Sequence, residues 1–304
     1  MSKISVCLAT FNEEKNLKDC LESVRRLAEE IVVVDGTSTD KTVAIARKYT
    51  PKVIIRENPP MFHINKQKAF EAATGDWILY LDADERVDEQ LRKEILSAVK
   101  RKEYAGFWIP RKNIIFGKWI QHSLWYPDYQ LRLFRRGKAY LPCKSVHEQP
   151  VLSGKAGRLK QPLIHYNYQT ISQYVQKLNE LYTENDARVF LSEKKNLYWY
   201  DAFRFPLQDF LSTFFARQGY KDGFHGLVLS ILQAFSTFVT FAKVWEVQGF
   251  KEMKKENLLQ GVERELIMME KECRYWLLTT RIEEESGFLK KAVFRIKRRL
   301  RRLL

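Results

Sequence analysis

The chain has 304 residues, enough for one large or two modest domains, and 45% of them are hydrophobic, which is enough for a buried core. The net charge of +15 leaves nucleic acid, anionic lipid and phosphorylated substrates open as partners. The four cysteines form no CxxC pair, which argues against a structural zinc site, and the first residues lack the long apolar segment of a secretory signal.

Short apolar runs alternate with helical patterns over the first hundred residues. The predicted strands are 4–9, 31–34, 53–55 and 77–81, and the predicted helices are 13–27, 64–74 and 89–101. Ser38 or Thr39 is expected to cap a further helix that follows it. Gly75 is expected to end the helix 64–74, and Asp88 to cap the start of the helix 89–101. This alternation predicts an α/β fold with a mainly parallel sheet and helices on both faces.

The pattern changes along the rest of the chain. Residues 104–165 contain shorter, aromatic, strand-like segments, and the pattern is helical from about residue 170 onward. We therefore predict an α/β catalytic domain over 1–165 and a helical region over 166–304. Ligands of parallel sheets bind beyond the carboxyl ends of the strands, which here are the turns after Ala9, Asp35 and Leu81.

Two aspartates, Asp82 and Asp84, directly follow the strand 77–81. Mg²⁺ and Mn²⁺ prefer carboxylate, water and phosphate oxygens, so this pair can hold a divalent ion together with a diphosphate. The other interpretation is a pair of solvated turn acids. The position after a buried strand favours the metal site.

A second polar turn follows the second predicted strand. Asp35 there can accept hydrogen bonds from a nucleoside, and the turn 10–13 after the first strand is expected to form the facing wall. Lys66 or Lys68, near the start of a helix, can balance the charge of a diphosphate. A plain polar turn and a solvated basic helix face are the alternative interpretations.

Four segments, in this order and spacing, resemble family 2 glycosyltransferases of the GT-A fold: LATFNEE, VVDGTSTD, NKQKA and GDWILYLDADE. The resemblance covers about residues 3–150 and implies transfer of a sugar from a nucleotide diphosphate. It also implies that the nucleoside is bound by Thr10, Asn12, Glu13 and Asp35. The metal and diphosphate would be held by Asp82 and Asp84, with Asp84 as the direct ligand of Mg²⁺ or Mn²⁺.

The same resemblance implies a carboxylate general base, which takes the proton of the acceptor hydroxyl as it attacks and so inverts the anomeric centre. The candidate is Glu148 in the segment SVHE, although the family usually has a Glu-Asp pair there. Asp128 is the reserve candidate. The alternative interpretation of Glu148 is a surface acid that pairs with Arg132 or Lys144.

The segment DYQLRLFRR, residues 128–136, resembles a bacterial subgroup of this family that decorates the lipopolysaccharide inner core. Arg132, Arg135 and Arg136 in it are expected to contact phosphates of the donor or the acceptor. Ordinary surface charge is the alternative.

Residues 226–242 contain no charged side chain. The length of this uncharged stretch is at the lower limit for a helix that crosses a membrane. A polar stripe interrupts them, formed by Ser230, Gln233, Ser236, Thr237 and Thr240. The stripe predicts a half-buried or interfacial helix in preference to a spanning one.

The last 19 residues contain eight basic side chains and no acidic one. Apolar residues recur among them at helical spacing, at Leu289, Val293, Ile296, Leu300 and Leu303. This pattern predicts an amphipathic helix that lies on anionic lipid. The alternatives are a helix docked on the protein and a nucleic-acid arm, although such an arm does not require a clean apolar stripe.

We therefore predict an inverting, metal-dependent glycosyltransferase, peripheral on the cytoplasmic face of the bacterial inner membrane. The expected donor is a UDP-sugar, with UDP-glucose favoured by the resemblance alone, and the expected acceptor is a lipid-linked saccharide such as lipopolysaccharide core. One alternative is a nucleotidyltransferase, although the first turn lacks the glycines of that class. The other is a non-enzymatic binder of lipid or nucleic acid.

Overall fold

A computed structural model describes residues 2–59, 61–144, 148–253 and 257–300. The chain forms two compact units. The first contains residues 1–119 and 125–167, and the second contains residues 120–124 and 168–304.

The first unit contains the sheet and four helices. Its strands are β1 (Ile4–Thr10), β2 (Glu30–Asp35), β3 (Val53–Ile55), β4 (Trp77–Leu81), β5 (Glu85–Arg86), β6 (Gly106–Ile115), β7 (Lys118–Trp119), β8 (Asp128–Arg135), β9 (Ala139–Tyr140), β10 (Val151–Leu152), β11 (Ala156–Arg158) and β12 (Leu163–Tyr168). Its helices are α1 (Leu17–Val24), α2 (Thr42–Ala46), α3 (His63–Ala72) and α4 (Glu89–Ala98).

The main sheet is half parallel and half antiparallel. Its strand order is β3-β2-β1-β4-β8-β6-β12-β5, and β7 and β11 add to β6. The strands β3, β2, β1 and β4 are parallel, whereas β8 is antiparallel to β4 and to β6. The predicted α/β fold is therefore confirmed, and all four predicted strands of the first hundred residues are present. The prediction of a mainly parallel sheet holds only for β3, β2, β1 and β4, because the strands after β4 join the main path of the sheet in antiparallel pairs.

Helices cover both faces of this sheet because the side chains of a strand alternate between its faces. Ile4, Val6 and Leu8 of β1 pack in one core cluster with residues of α1 and α4. Cys7, on the other face, belongs to a second cluster with residues of α3. Cys7 is a fully buried free thiol, and burial raises its pKa far above the ordinary value.

Some predicted helix ends are wrong, and others are confirmed. The α3 helix ends at Ala72, and Ala73 is extended, so Gly75 is not its C-cap. A Cβ on Gly75 would lie 2.7 Å from the Ser5 hydroxyl, so close packing against β1 is what requires glycine there. Asp88 does cap α4, since its carboxylate accepts a hydrogen bond from the Leu91 N–H at 2.8 Å.

The second unit is mainly helical in its described part. Its α-helices are α5 (Ile171–Lys177), α6 (Thr183–Ser192), α7 (Asp201–Leu211), α8 (Phe224–Val247), α9 (Leu258–Glu284) and α10 (Phe288–Leu300). Two π-helical turns, 178–182 and 212–216, follow α5 and α7 directly. By length and composition α8 is able to cross a membrane, with a mean hydropathy of 1.7 over its most apolar stretch, and 22% of that stretch is buried.

Candidate active site

The carboxylate of Asp35, at the end of β2, is enclosed by uncharged hydrogen-bond donors. The Thr10 hydroxyl donates to one oxygen at 2.9 Å and the Ser38 hydroxyl to the same oxygen at 2.7 Å, while the Ser38 N–H donates to the other at 2.8 Å. Asp35 has no solvent-exposed surface. The structure thus brings Thr10 and Asp35 together, but as a closed support for the turn. A nucleoside would reach the carboxylate only if the turn opened around Ser38.

The turns after β1 and β2 are joined by further hydrogen bonds. Asn12, which has a left-handed backbone, donates its N–H to the Ser38 hydroxyl and accepts from the Thr39 N–H through its side chain. The Glu13 N–H donates to the Thr42 hydroxyl at 2.7 Å. The prediction that Ser38 or Thr39 caps α2 is wrong, because N-cap position 41 has no side-chain cap and both residues join the two turns instead. Asn12 and Glu13 accordingly lie in the wall predicted to face Asp35.

A third loop approaches the same edge of the sheet. A Cβ on Gly36 would lie 2.9 Å from Asn58, so the backbone there passes very close to the loop after β3. Beside this loop is a cavity of about 510 Å³, whose lining includes Arg56, Glu57 and Asn65. An opening of this size next to the Asp35 turn is large enough for part of a nucleoside.

The turn after β4 holds its first aspartate with two cations. The Asp82 carboxylate lies 2.5 Å from the Lys66 Nζ and 2.7 Å from the Arg132 Nη2. The same guanidinium nitrogen lies 2.7 Å from the carboxylate of Glu85, which is fully buried. Arg132 also stacks over the Tyr80 ring, with its guanidinium carbon 4.1 Å from the ring centroid. Four charged side chains from three elements and one turn therefore meet at this point.

These contacts shift the pKa values of the acids in opposite directions. Burial alone would raise the pKa of Asp82, but Lys66 and Arg132 outweigh it and hold that pKa well below its ordinary value. Burial raises the pKa of Glu85 despite the opposing charge of Arg132. Sequence reasoning missed Glu85, although it follows Asp84 directly in the segment DADE.

The second aspartate, Asp84, faces a histidine. The Asp84 carboxylate lies 3.4 Å from His165 Nε2, and β12 is registered so that His165 pairs with Glu85 of β5. The other ring nitrogen, Nδ1, lies 2.7 Å from the Asn113 side-chain oxygen. The Asn113 amide nitrogen donates to the Trp125 carbonyl, so its oxygen must accept and His165 Nδ1 must carry the proton. This tautomer leaves the lone pair on Nε2, facing the Asp84 carboxylate.

An oxygen and a nitrogen in this position fit a pair of metal ligands. Neighbouring ligands of an octahedral Mg²⁺ lie about 3 Å apart, close to the observed distance. Within the residues that the structure describes, no three His, Cys, Asp or Glu side chains converge as a complete metal site. A cation at this point would therefore have two protein ligands and would need oxygens from a bound substrate. Sequence analysis did not assign His165 to this site.

Asp128, the reserve base, lies in a tight ion pair at the start of β8. Its Oδ2 lies 2.5 Å from the Arg111 Nη2 and 2.7 Å from the Arg111 Nε, and the Asn113 and Gln130 amides donate to the same carboxylate. Burial opposes the negative charge, but Arg111 and these hydrogen bonds outweigh it and lower the pKa of Asp128. A carboxylate held in this way is a weaker proton acceptor than an ordinary aspartate.

Glu148, the first candidate base, lies beside the start of α3. Its Oε1 accepts a hydrogen bond from the Lys144 N–H at 2.6 Å, and its Oε2 lies 4.0 Å from His63 Nδ1. His63 is one helical turn before Lys66, which contacts Asp82. Burial, and then the charge of Lys66, lower the pKa of His63 to about 4. His147, the preceding residue of the predicted motif, lies outside the described residues.

The three arginines of β8 and its end do not share one environment. Arg132 lies in the acidic cluster, but Arg135 pairs in register with Trp77 at the opposite end of β4. The side chains of Arg135 and Arg136 donate to the backbone carbonyls of Tyr104 and Gly75. Arg135 and Arg136 therefore do not join Arg132 at the acidic turn, because β8 runs antiparallel to β4 and carries them away from it.

A half-parallel sheet with polar loops and an acidic turn at its carboxyl edge is the GT-A architecture of sugar-transferring enzymes. The sequence profile of Glycosyl transferase family 2 matches residues 5–180 of this chain. The chain belongs to that family. The prediction of a glycosyltransferase is thereby confirmed over a nucleotidyltransferase and a non-enzymatic binder.

The chain is also similar to individual proteins. It is 30% identical to an uncharacterized glycosyltransferase of Rickettsia typhi, over 85% of this chain and 91% of that protein. It is 30% identical to the lipopolysaccharide core biosynthesis glycosyltransferase LpsC of Rhizobium meliloti, over 83% of this chain and 94% of that protein. Among solved structures, S. aureus TarS 1–349 in complex with UDP aligns with a TM-score of 0.43 at 16% identity, over 79% of this chain and 91% of that one.

Proposed function

We propose that this glycosyltransferase is inverting and depends on Mg²⁺ or Mn²⁺, and that it moves a sugar from a UDP-sugar onto a lipid-linked saccharide. The observation that carries the proposal is the junction of Asp84, His165 and the Lys66–Asp82–Arg132 cluster at the carboxyl edge of the sheet. UDP-glucose as donor and lipopolysaccharide core as acceptor rest on the family and on the similarity to LpsC.

We assign Asp84 and His165 as the protein ligands of the metal. The first expectation gave this role to Asp82 as well, but both Asp82 oxygens are held by cations, so we assign Asp82 to orienting Lys66 and Arg132. The bound metal would offset charge on the leaving diphosphate. The Asn113 amide keeps the proton on His165 Nδ1, so Nε2 stays available as a ligand without a change of tautomer.

Lys66 supplies a positive charge for the donor phosphates. Its ammonium contacts only one carboxylate oxygen of Asp82 and stacks near the Tyr80 ring, so it can turn toward an incoming anion. The side chain is mostly shielded from water, which strengthens its attraction for a phosphate. Arg132 remains between Asp82 and Glu85 and keeps the acidic pair from repelling the donor.

Glu148 is the proposed general base. In the reaction its carboxylate takes the proton of the acceptor hydroxyl while the hydroxyl oxygen bonds to the anomeric carbon. The bond from that carbon to the diphosphate oxygen breaks at the same time, and the diphosphate leaves with the electron pair. Glu148 is favoured over Asp128 because the two contacts from Arg111 lower the basicity of Asp128.

The proposed place of action is the cytoplasmic face of the bacterial inner membrane. The α10 helix supports this proposal because its apolar residues Leu289, Val293 and Ile296 are exposed between basic ones. The alternative interpretation, a helix docked on the protein, also has support, because α10 packs on α9; that packing leaves Leu289, Val293 and Ile296 exposed. Residues 301–304 of the predicted amphipathic segment lie outside the described residues.

The test is release of UDP from a panel of UDP-sugars, with and without Mn²⁺. We expect Asp84→Asn and His165→Ala each to lower the metal-stimulated rate by about a hundredfold or more, because each removes one of two protein ligands. Asp19→Asn, an exposed residue of α1, is the matched control and should leave the rate unchanged. If both ligand variants keep the wild-type rate and the same Mn²⁺ dependence, the metal assignment is wrong.

A further inference from the structure

The α8 helix is turned with its polar residues toward the protein. Ser230 and Ser236 are buried, and the Thr237 hydroxyl and the Gln233 amide donate to the carboxylate of Asp209 on α7. The polar stripe noticed in the sequence is therefore the face that packs inside the second unit. A surface helix of a soluble protein normally has the reverse arrangement.

The opposite face of α8 is apolar and open. Five exposed large apolar residues lie on this face, with exposures between 36% and 76%: Phe224, Ile231, Phe235, Phe238 and Trp245. Spacings of seven, four, three and seven residues place them along one side of a helix with 3.6 residues per turn. We call this row the α8 stripe, and it is about 30 Å long at 1.5 Å per residue. Single exposed apolar residues are ordinary, but a continuous row of this length marks an interaction surface.

A second apolar row lies on α10. The α10 helix packs on α9, where the Arg298 side chain donates to the Thr279 hydroxyl at 3.2 Å. Leu289, Val293 and Ile296 point away from this contact and are 48–79% exposed. Positions 286–304 contain eight basic residues and no acidic residue. The combination of exposed apolar and basic side chains complements an anionic lipid surface.

The two rows begin close together. The Tyr220 hydroxyl donates to the carboxylate of Glu284 at 2.7 Å, and Lys221 lies 3.4 Å from the same carboxylate. Tyr220 precedes the first residue of the α8 stripe by four positions, and Glu284 precedes Phe288 at the start of α10 by four. The start of the α8 stripe is thus joined to the start of the basic helix within one unit.

We propose that α8 lies side-on in an anionic bilayer with its stripe among the acyl chains, next to the basic α10 on the headgroups. This inference rests on the proposed lipid-linked acceptor. It assigns to α8 the contact with the membrane in which that acceptor lies. The α8 helix does not span, because α6 and α7 cover its other side and Asp209 there is a charged hydrogen-bond partner. Apolar insertion resists salt, whereas headgroup attraction by α10 is screened by it.

The experiment is flotation of the full chain with vesicles of phosphatidylcholine containing about one-third phosphatidylglycerol. The variant Ile231→Gln/Phe235→Gln/Phe238→Gln replaces three exposed residues of the α8 stripe. In about 0.5 M NaCl, where headgroup attraction is screened, we expect it to bind at least about tenfold more weakly than the wild type. At low salt the variant should keep part of its binding through α10.

The matched control changes three exposed apolar residues on α9. The variant Leu259→Gln/Leu266→Gln/Ile267→Gln lies beside Glu263 and Glu270 and should float like the wild type at both salt concentrations. The single variant Phe235→Glu tests the same stripe with the smallest change to the fold, and a thermal melt checks that each variant is folded. Equal high-salt binding of the wild type, the triple stripe variant and Phe235→Glu would overturn the inference.

Two further results separate this inference from its rivals. A dimer of the wild type in light scattering that Phe235→Glu dissociates would mean that a second copy of the chain covers the stripe, and would overturn the lipid assignment. Release of UDP from a soluble UDP-sugar should be the same in the stripe variants and the wild type. Loss of flotation with normal UDP release supports the lipid contact, whereas absent UDP release in the wild type would refute the proposed donor chemistry alone.

Discussion

The turns after β2 and β4 both carry aspartates at the same edge of the sheet, but they hold them in different ways. Asp35 receives only uncharged donors, from Thr10 and Ser38. Asp82 is held by the cations Lys66 and Arg132. The first turn is closed and keeps its negative charge. The second is nearly neutral as a group and contains a cation that can turn toward a phosphate. The partners of an acid at a strand end therefore decide its role, more than its position does.

The largest effect should come from removing the cation that the buried acids share. Arg132→Leu leaves Glu85 as a buried acid without its closest cation, and we expect the free energy of unfolding to fall by about 3–5 kcal/mol in urea denaturation. Arg188→Leu, at an exposed pair on α6, is the control and should change stability by less than about 1 kcal/mol. A small loss for Arg132→Leu would mean that the charges of the β4 turn matter no more than those of the surface.

An intermediate case is Glu30, which has a cation and uncharged donors together. Burial alone would raise its pKa, but hydrogen bonds from Lys52, Ser5 and Thr74 outweigh it and lower the pKa from 4.5 to about 2. The lowered pKa stabilises the fold at and above about pH 5, and this contribution is lost as the pH falls toward 2.

The contribution of the lowered Glu30 pKa to the free energy of unfolding has an upper limit of about 3 kcal/mol. We expect Glu30→Gln to remove this contribution at pH 7. Urea denaturation at pH 7, 5 and 3 checks this, with Glu22→Gln on the exposed face of α1 as control. Parallel pH profiles for the wild type and Glu30→Gln would contradict the assignment.

The smallest effect should come from the closed turn. Thr10→Val removes one of the uncharged donors to Asp35 and leaves both from Ser38, so we expect a loss of about 1 kcal/mol in the free energy of unfolding. Thr39→Val, in the same pair of turns but exposed, should stay within about 0.5 kcal/mol of the wild type. If Thr10→Val cost as much as Arg132→Leu, the contrast between the two turns would be lost.

The sequence predicted the parallel half of the fold well because each strand there is a short apolar run next to a helical pattern. The runs 4–9, 31–34, 53–55 and 77–81 are all strands. The acids at their ends, Asp35, Asp82 and Asp84, could be placed at one edge by the rule for parallel strands alone. The roles of these acids stay predictions.

Contacts in the antiparallel half of the main sheet could not be predicted from local sequence patterns in the same way. His165 meets Asp84 across 81 positions, and Arg132 meets Glu85 across 47. Antiparallel register depends on turns and long-range packing, so no local pattern indicated which side chains would face the acidic turn. A polar residue on a predicted strand was the only available signal for His165, and it is too common to identify a site.

By itself the sequence determined where the strands and helices form, where acids follow strands, and that α8 has one polar side and the chain end one basic helix. These features depend on neighbouring residues and on the period of each element. Only the tertiary structure decided that Lys66 and Arg132 share Asp82, that His165 faces Asp84, and that the polar side of α8 points inward. Those outcomes depend on which surfaces, distant in sequence, pack against each other and exclude water, and only the folded chain determines that packing.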